Sequence, residues 1–420
     1  MAHVVAFKVQ GYRAISAPIA LSGLGTYVAL FGDNAVGKSS VLRALALFGD
    51  LCRTHPIELL GTGRPWPMDA FLDKYRQDPW MFNKQGDPVV EIAATMNTGL
   101  DVSFKLTRIR DEIEVECTRA LADGTDLAAV ATAARRALAE AEGRPPASGA
   151  DDELTLELNI NLTAAYERLY QALSPIHVAM GTSPALPVPD STRAALFGAI
   201  SSPDVVLRNA VRTAMRQLGA LFPALGQGEI DVLANAPFHE KDLAWVASDP
   251  PSVTDLDHLG GGVQSAVATL ASLLLSRALI VCLEEPEAFV GARALDGLAT
   301  IFRRAPPKKI CDQVWIATHA VTLAGPEDPI VVLERAGGVV SARQGSASQL
   351  GGRFALAPPE MPADRLGRLG QDGSVRLPPN VIARAGLRPG DFVYFDDRET
   401  GIRILTGEQM DATLAEPPEP

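Results

Sequence analysis

Cysteine is scarce: Cys52, Cys117, Cys282 and Cys311 are the only four among 420 residues, far apart and with no CxxC pair or histidine at ligand spacing. That pattern excludes a zinc ribbon and a disulfide framework, and leaves four small core residues suited to a reducing compartment. Basic charge is also short, with 38 Lys and Arg against 50 Asp and Glu and a net charge of −12. Such a chain does not coat nucleic acid over its whole surface, although one basic groove fits within an acidic total. No charged segment leads into an apolar core at the N-terminus, so the expectation is a cytoplasmic protein without a secretory leader. One apolar run reaches bilayer length, VQSAVATLASLLLSRALIVCL at 263–283, but Arg277 breaks it and Glu284 and Glu285 follow. It reads as a buried helix and a buried strand, and no membrane is expected. Long heptad runs and internal repeats are missing, which removes an extended coiled-coil arm.

What is present is globular: 47% apolar and 21% charged residues in a length that suits two or three domains. HVVAFKVQGY and YVALF read as early strands, and the period of two in VVEIAATM, LDVSFKLTRI and EIEVECT predicts an antiparallel sheet over 89–118. Residues 126–225 are rich in alanine and helical in tone, with breaks at 143–153 and 182–191. EIDVLANA and DLAWVAS return to strand, followed by a helix, the strand ALIVCLEE, a helix near 290–304, and the strands QVWIATH and PIVVLE. Short apolar runs separated by helices imply a largely parallel α/β sheet. The expected division is 1–125 and 226–345 as two parts of one head, 126–225 as a helical insertion, 346–363 as a linker, 364–408 as a small domain and 409–420 as a tail.

Three stretches carry chemistry. Gly32, Asp33, Asn34, Ala35, Val36, Gly37, Lys38, Ser39 fits G-x-x-x-x-G-K-[ST] after a strand and before a helix. There backbone N–H groups, through Ser40, wrap phosphates, Lys38 neutralises the terminal ones, and the Ser39 hydroxyl reaches Mg²⁺, so ATP and Mg²⁺ are the expected cofactors. LIVCLEEPE is an apolar strand ending in carboxylates. Glu284 is placed in the metal shell and Glu285 as the base that orients or deprotonates water, against the alternative of a solvated acidic turn. QVWIATH ends at His319, which is either structural or a contact to the γ-phosphate or the attacking water.

A second glycine turn, HLGGGVQS at 258–265, opens the helix before LIVCLEEPE. The order of phosphate loop, long insertion, glycine turn, paired glutamates and strand-end histidine resembles the ABC-type ATPase heads. The forms LFGDNAVGKSSVLRAL, LGGGVQS and EEPEAFV look like the OLD, RecF and SMC-like branch, over Met1 to about Arg343. The resemblance implies a head with a mixed sheet, an antiparallel β lobe and a helical insertion. It implies a homodimer in which Gly260, Gly261, Gly262 and Gln264 meet the partner's ATP. Gln85 in FNKQGDP stands as its metal-side glutamine. The sequence departs from the branch at Gly260, where many such turns carry serine, and at Ala288–Gly291, where histidine and proline are common. Nothing after residue 345 gathers the carboxylates of the nuclease domain that many OLD proteins carry. Genome maintenance or phage defence, with a separately encoded effector such as a nuclease or toxin, is what the resemblance implies for role.

Residues 364–407 contain a QDG turn, SVRLP, NVIARAGL, RPGD, FVYF and IRIL. That succession of hairpin turn, strand, short helix and final hairpin resembles the AbrB/SpoVT-like swapped-hairpin domain, a small β-rich fold made by two chains. The resemblance implies a second dimer contact, and DNA binding through Arg365, Arg368 and Arg376 stands beside simple dimerisation or docking. An AbrB-like regulator or antitoxin gated by the ATPase head is the rival of the effector-coupled ATPase.

Overall fold

Five consecutive buried residues, Tyr27–Phe31, form strand β3, and such uniform burial requires cover on both faces. A computed structural model describes residues 2–53, 81–83, 88–109, 112–142, 150–181, 186–232, 243–325, 328–346 and 350, and four strands within 368–406. The chain divides into two compact units, Met1–Arg353 and Phe354–Pro420.

In the first unit β3 sits inside a six-stranded sheet with β8 (Val178–Met180), β12 (Ile280–Glu284), β13 (Gln313–Thr318), β14 (Pro329–Ala336) and β15 (Val339–Ser346), in the order β15-β14-β3-β13-β12-β8. All neighbours run parallel except β15, which returns antiparallel after Gly337 and Gly338. Both glycines take positive φ, the geometry of a tight two-residue hairpin. The bilayer-length run is split as expected: α6 (Gly261–Leu275) ends before Arg277 and β12 begins at Ile280. No helix among the described residues is long and apolar enough to cross a membrane.

A second six-stranded sheet is antiparallel. It joins β1 (Val4–Gln10) and β2 (Ile19–Ser22) to β4 (Val89–Met96), β5 (Asp101–Ile109), β6 (Glu112–Ala122) and β7 (Thr125–Asp126), in the order β2-β1-β4-β5-β6-β7. Alternate residues of β4 and β5 are buried, as a period of two requires for a sheet with one packed face. Side chains stitch the two sheets, Gln344 of β15 to Ser22 of β2 and Gln313 of β13 to β1. Gln313 in β13 is fully buried; its Nε2 donates to the carbonyls of Val4 and Gly25, and its Oε1 accepts from Val4 N. Phe7 and Trp315 meet edge to face beside it.

Helix α1 (Lys38–Arg53) packs on β8 and β13, so closely at Gly49 that an added Cβ would lie 2.5 Å from Val178. The Asp126 carboxylate accepts from Ala128 N and Ala129 N and so caps α2 (Leu127–Glu142), which pairs with α3 (Ala150–Leu173). Asp204 caps α5 (Val205–Leu221) in the same way, after α4 (Asp190–Ile200). Between α3 and α4 the alanine-rich stretch is not purely helical, because β8 forms there on the edge of the main sheet. A three-stranded antiparallel sheet, β11-β10-β9, follows from β9 (Gln227–Val232), β10 (Leu243–Asp249) and β11 (Pro251–Asp255). Helix α7 (Ala292–Arg304) lies between β12 and β13 in the chain.

In the second unit β16 (Arg368–Leu369) pairs antiparallel with β17 (Val375–Arg376), and β18 (Val393–Arg398) with β19 (Gly401–Thr406). The QDG turn and the expected helix at 380–387 lie outside the described residues.

Candidate functional site

The turn between β3 and α1 is built from alternating backbone handedness. Gly32, Ala35 and Gly37 have φ of 151°, 63° and 106°, conformations that point successive N–H groups to one side and make a concave anion seat. At Gly32 a Cβ would stand 2.5 Å from the Leu333 carbonyl, so no other residue fits without movement. Helix α1 starts at Lys38, and its first-turn N–H groups have no partner earlier in the helix. Asp33, Asn34, Ala35 and Ser39 are exposed at the mouth, whereas Val36, Gly37 and Ser40 are buried. Lys38 is 6% exposed and turned into the loop. Its Nζ donates to Gly32 O at 2.8 Å and Asp33 O at 3.0 Å, and stands 3.1 Å from His319 Nε2.

Glu284 is the last residue of β12, and its Oε1 lies 3.4 Å from Arg43 Nε, one turn into α1. Glu285 turns sharply out of the strand with φ of 45°, its N–H bonded to Ala317 O at 2.8 Å. A non-glycine residue in that region costs of order 1–3 kcal/mol, and the surrounding bonds must hold it there. The turn leaves the Glu285 carboxylate largely exposed, with Oε1 3.7 Å from His319 Nε2. His319 follows β13, the neighbour of β12, so the parallel sheet brings both strand ends to one edge. Glu287 approaches from the same loop. Its Oε1 accepts from His319 N at 2.6 Å and from Ala320 N at 3.3 Å, while Oε2 is buried with no hydrogen-bond partner among the described residues.

The second glycine turn is held from within. Asp255 caps a single turn of 3-10 helix, Leu256–His258, and Gly260 then starts α6 with no side-chain cap. The N–H groups of Gly261 and Gly262 are therefore open to an outside acceptor. Gly260 is exposed, and a methyl placed on it would have nothing within 4 Å; a Cβ on Gly261 would meet Leu186, and one on Gly262 would lie 2.7 Å from Phe289 O. Gln264 is 6% exposed, and its Nε2 donates to Asp257 O and Leu259 O, so the side chain braces the turn. Ser265 Oγ donates to Ala288 O at 2.7 Å.

Lys38, His319, Glu285 and Glu284 thus meet at one sheet edge, and the glycine turn reaches them through the loop that follows β12. Gln85 and Arg365 lie outside the described residues, while Arg368 and Arg376 stand opposite each other in the β16–β17 pair. Sequence reading missed Arg43 and Glu287. The third glutamate of LEEPE was visible, but nothing local shows what it binds. For Mg²⁺ the donor set fits the ion's usual mode, one hydroxyl and one carboxylate with phosphate and water completing the shell: Ser39 is exposed at the seat and Glu284 stands at the strand end.

No family model matches the chain, and no curated protein matches it. Among solved structures, the chain is similar to an Smc head bound to the C-winged helix domain of ScpA, with TM-score 0.46, 15% identity, and 83% of this chain and 99% of that one covered. It is also similar to the SMC head domain from Thermotoga maritima, with TM-score 0.42, 12% identity and coverages of 81% and 98%. An Smc head with an extended coiled coil bound to the C-terminal domain of ScpA from Pyrococcus furiosus gives TM-score 0.44, 13% identity and coverages of 83% and 98%.

Proposed function

We propose that this chain is a Mg²⁺-dependent ATPase of the ABC type, in which two copies close around ATP and the nucleotide state is passed to DNA or to a separately encoded effector. The observation that carries this reading is the meeting of a phosphate loop, a buried lysine, an exposed glutamate and a histidine within 3.1–3.7 Å at one sheet edge. In hydrolysis the oxygen of water attacks the γ-phosphorus and the bond to the β,γ-bridging oxygen breaks. Glu285 orients that water and takes its proton, a role that contributes typically about 10² to 10⁴ in rate. Lys38 and the first-turn N–H groups of α1 bind the phosphates and offset the charge that develops on them. Ser39 and Glu284 would hold the Mg²⁺ ion, which would supply further charge neutralisation when bound. His319, aligned beside Lys38, contacts the γ-phosphate or the water. Gly260–Gly262 offer their N–H groups to the nucleotide held by the second copy.

The test is phosphate release and solution mass of the full chain and of Glu285→Gln, with and without ATP and Mg²⁺. The expected result is ATP binding by both, hydrolysis at least about 10²-fold slower in the variant, and a larger mass for the variant with ATP. Failure of the wild-type chain to bind ATP would overturn the reading.

The pairing of Arg368 with Arg376 favours a second reading, in which the tail contacts DNA and the head gates it. Loss of promoter binding on changing both arginines would support it, with ATPase activity kept.

A further inference from the structure

The loop between β12 and α7 makes contacts in three directions. Glu285 N is bonded to Ala317 O, Glu287 to the chain after β13, and Ala288 and Phe289 to α6. We propose that Glu287 is a positioning residue that sets His319 against Lys38 and makes that setting depend on the glycine turn, an inference that rests on the ATPase reading above. Its Oε1 receives the main-chain N–H groups of both His319 and Ala320, and Thr318 Oγ1 receives the Ala320 N–H as well. The backbone of the histidine is thereby fixed from two sides while its ring faces Lys38.

One residue further along, the carbonyl of Ala288 accepts from Ser265 Oγ, and the carbonyl of Phe289 lies against Gly262. Any shift of α6 at its N-terminus is therefore delivered to Ala288 and Phe289, and from them to the Glu287 carboxylate. Oε2 is buried with no hydrogen-bond partner among the described residues, an unusual place for a carboxylate oxygen. Burial of an acceptor without a donor is unfavourable, so the residue has to be justified by what Oε1 does. A second copy docking on the glycine turn would reach His319 of the first copy by this route. Hydrolysis then follows closure, and the positioning of His319 is the step that closure controls.

The experiment compares Glu287→Ala, Glu287→Gln, His319→Ala and the Glu287→Ala/His319→Ala double variant in the full chain, with Mg²⁺-ATP as probe. Nucleotide Kd and kcat are measured separately. Glu287→Ala lowers kcat by roughly 10- to 100-fold, the range expected for a misplaced catalytic group, and leaves Kd near the wild-type value. Glu287→Gln, which keeps a carbonyl oxygen for both N–H groups, restores most of kcat. The double variant is no slower than His319→Ala, because both changes remove one function. Losses that multiply in the double variant, or a Kd that weakens in step with kcat, overturn the proposal. The imidazole resonances of ¹³C-histidine-labelled protein give a readout free of turnover, with the His319 signal identified by its loss in His319→Gln. A displaced His319 signal in Glu287→Ala upholds the proposal, and an unmoved one overturns it. A wild-type chain that binds no ATP refutes the proposed function and leaves the positioning role to be judged by these resonances.

Discussion

Lys38 Nζ and His319 Nε2 stand 3.1 Å apart, although 281 positions separate them in the chain. An ammonium has only donors, so the ring must present the lone pair of Nε2 and carry its proton on Nδ1 when the two are bonded. On the proposed ATPase reading the pair separates two functions. Lys38→Ala removes the cation assigned to the phosphates and is expected to weaken ATP binding by about 100-fold or more, whereas His319→Ala keeps binding and lowers kcat by about 10²- to 10³-fold. Equilibrium titration with a fluorescent ATP analogue and single-turnover phosphate release distinguish the two, and equal losses of binding in both variants would contradict the division.

The three glycines of the second turn have different neighbours and should tolerate change differently. Gly260 faces open space, so Gly260→Arg is expected to leave the melting temperature unchanged and to abolish the ATP-dependent gain in mass. Gly262→Ala pushes a methyl to 2.7 Å from a main-chain oxygen, and is expected to destabilise the fold by about 1–3 kcal/mol. Thermal unfolding and light scattering of the two variants test this. Loss of stability at Gly260 would mean that the turn is held by more than the contacts described.

Several of these features could be read from the sequence alone. The glycine-rich turn into α1, the carboxylate pair at the end of β12 and the helix-to-strand break near Arg277 were legible because their signals are local: a glycine spacing, two carboxylates at the end of an apolar run, a charge in a hydrophobic stretch. β8 was not legible. Val178–Met180 is three residues long in an alanine-rich region, and it is a strand only because Ile280–Cys282 offers it a partner. β11 begins with proline and is largely exposed, so PSVTD carries no alternation to mark it. Glu287 was in view as a letter, but the N–H groups it receives are 32 and 33 positions further on.

All four cysteines are buried. Burial pushes the thiols of Cys117 and Cys311 up to about 12 and raises those of Cys52 and Cys282 as well. At pH 8 a thiol of that kind is only about 10⁻⁴ ionised, and the thiolate is the reacting species. The native protein should therefore react slowly with a disulfide reagent, and should release four equivalents once urea unfolds it. Rapid reaction of any thiol in the native state would show that its cover is open.

His177 supplies a pH dependence. Burial lowers its pKa from the ordinary 6.5, and the nearby Arg53 lowers it further. Below about pH 6.5 the unfolded chain takes up a proton that the folded chain refuses. Stability is expected to fall as pH drops through this window and to level off below the folded value. His177→Asn should flatten that part of the curve. Urea midpoints at pH 7.0 and 5.5 provide the check, and equal slopes in wild type and variant would remove His177 as the cause.

Gln313 fastens Val4 across 309 positions, and β3 lies between β13 and β14, strands from the far end of the same unit. A ribosome adding about 5–20 residues per second needs roughly 15–60 seconds to span that interval. For most of that time the apolar YVALF segment has been synthesised but lacks both of its sheet neighbours, which begin at Gln313 and Pro329. The nascent β3 strand thus waits for its sheet partners until the last strands of the unit are made, and Gly32 meets the Leu333 carbonyl only then.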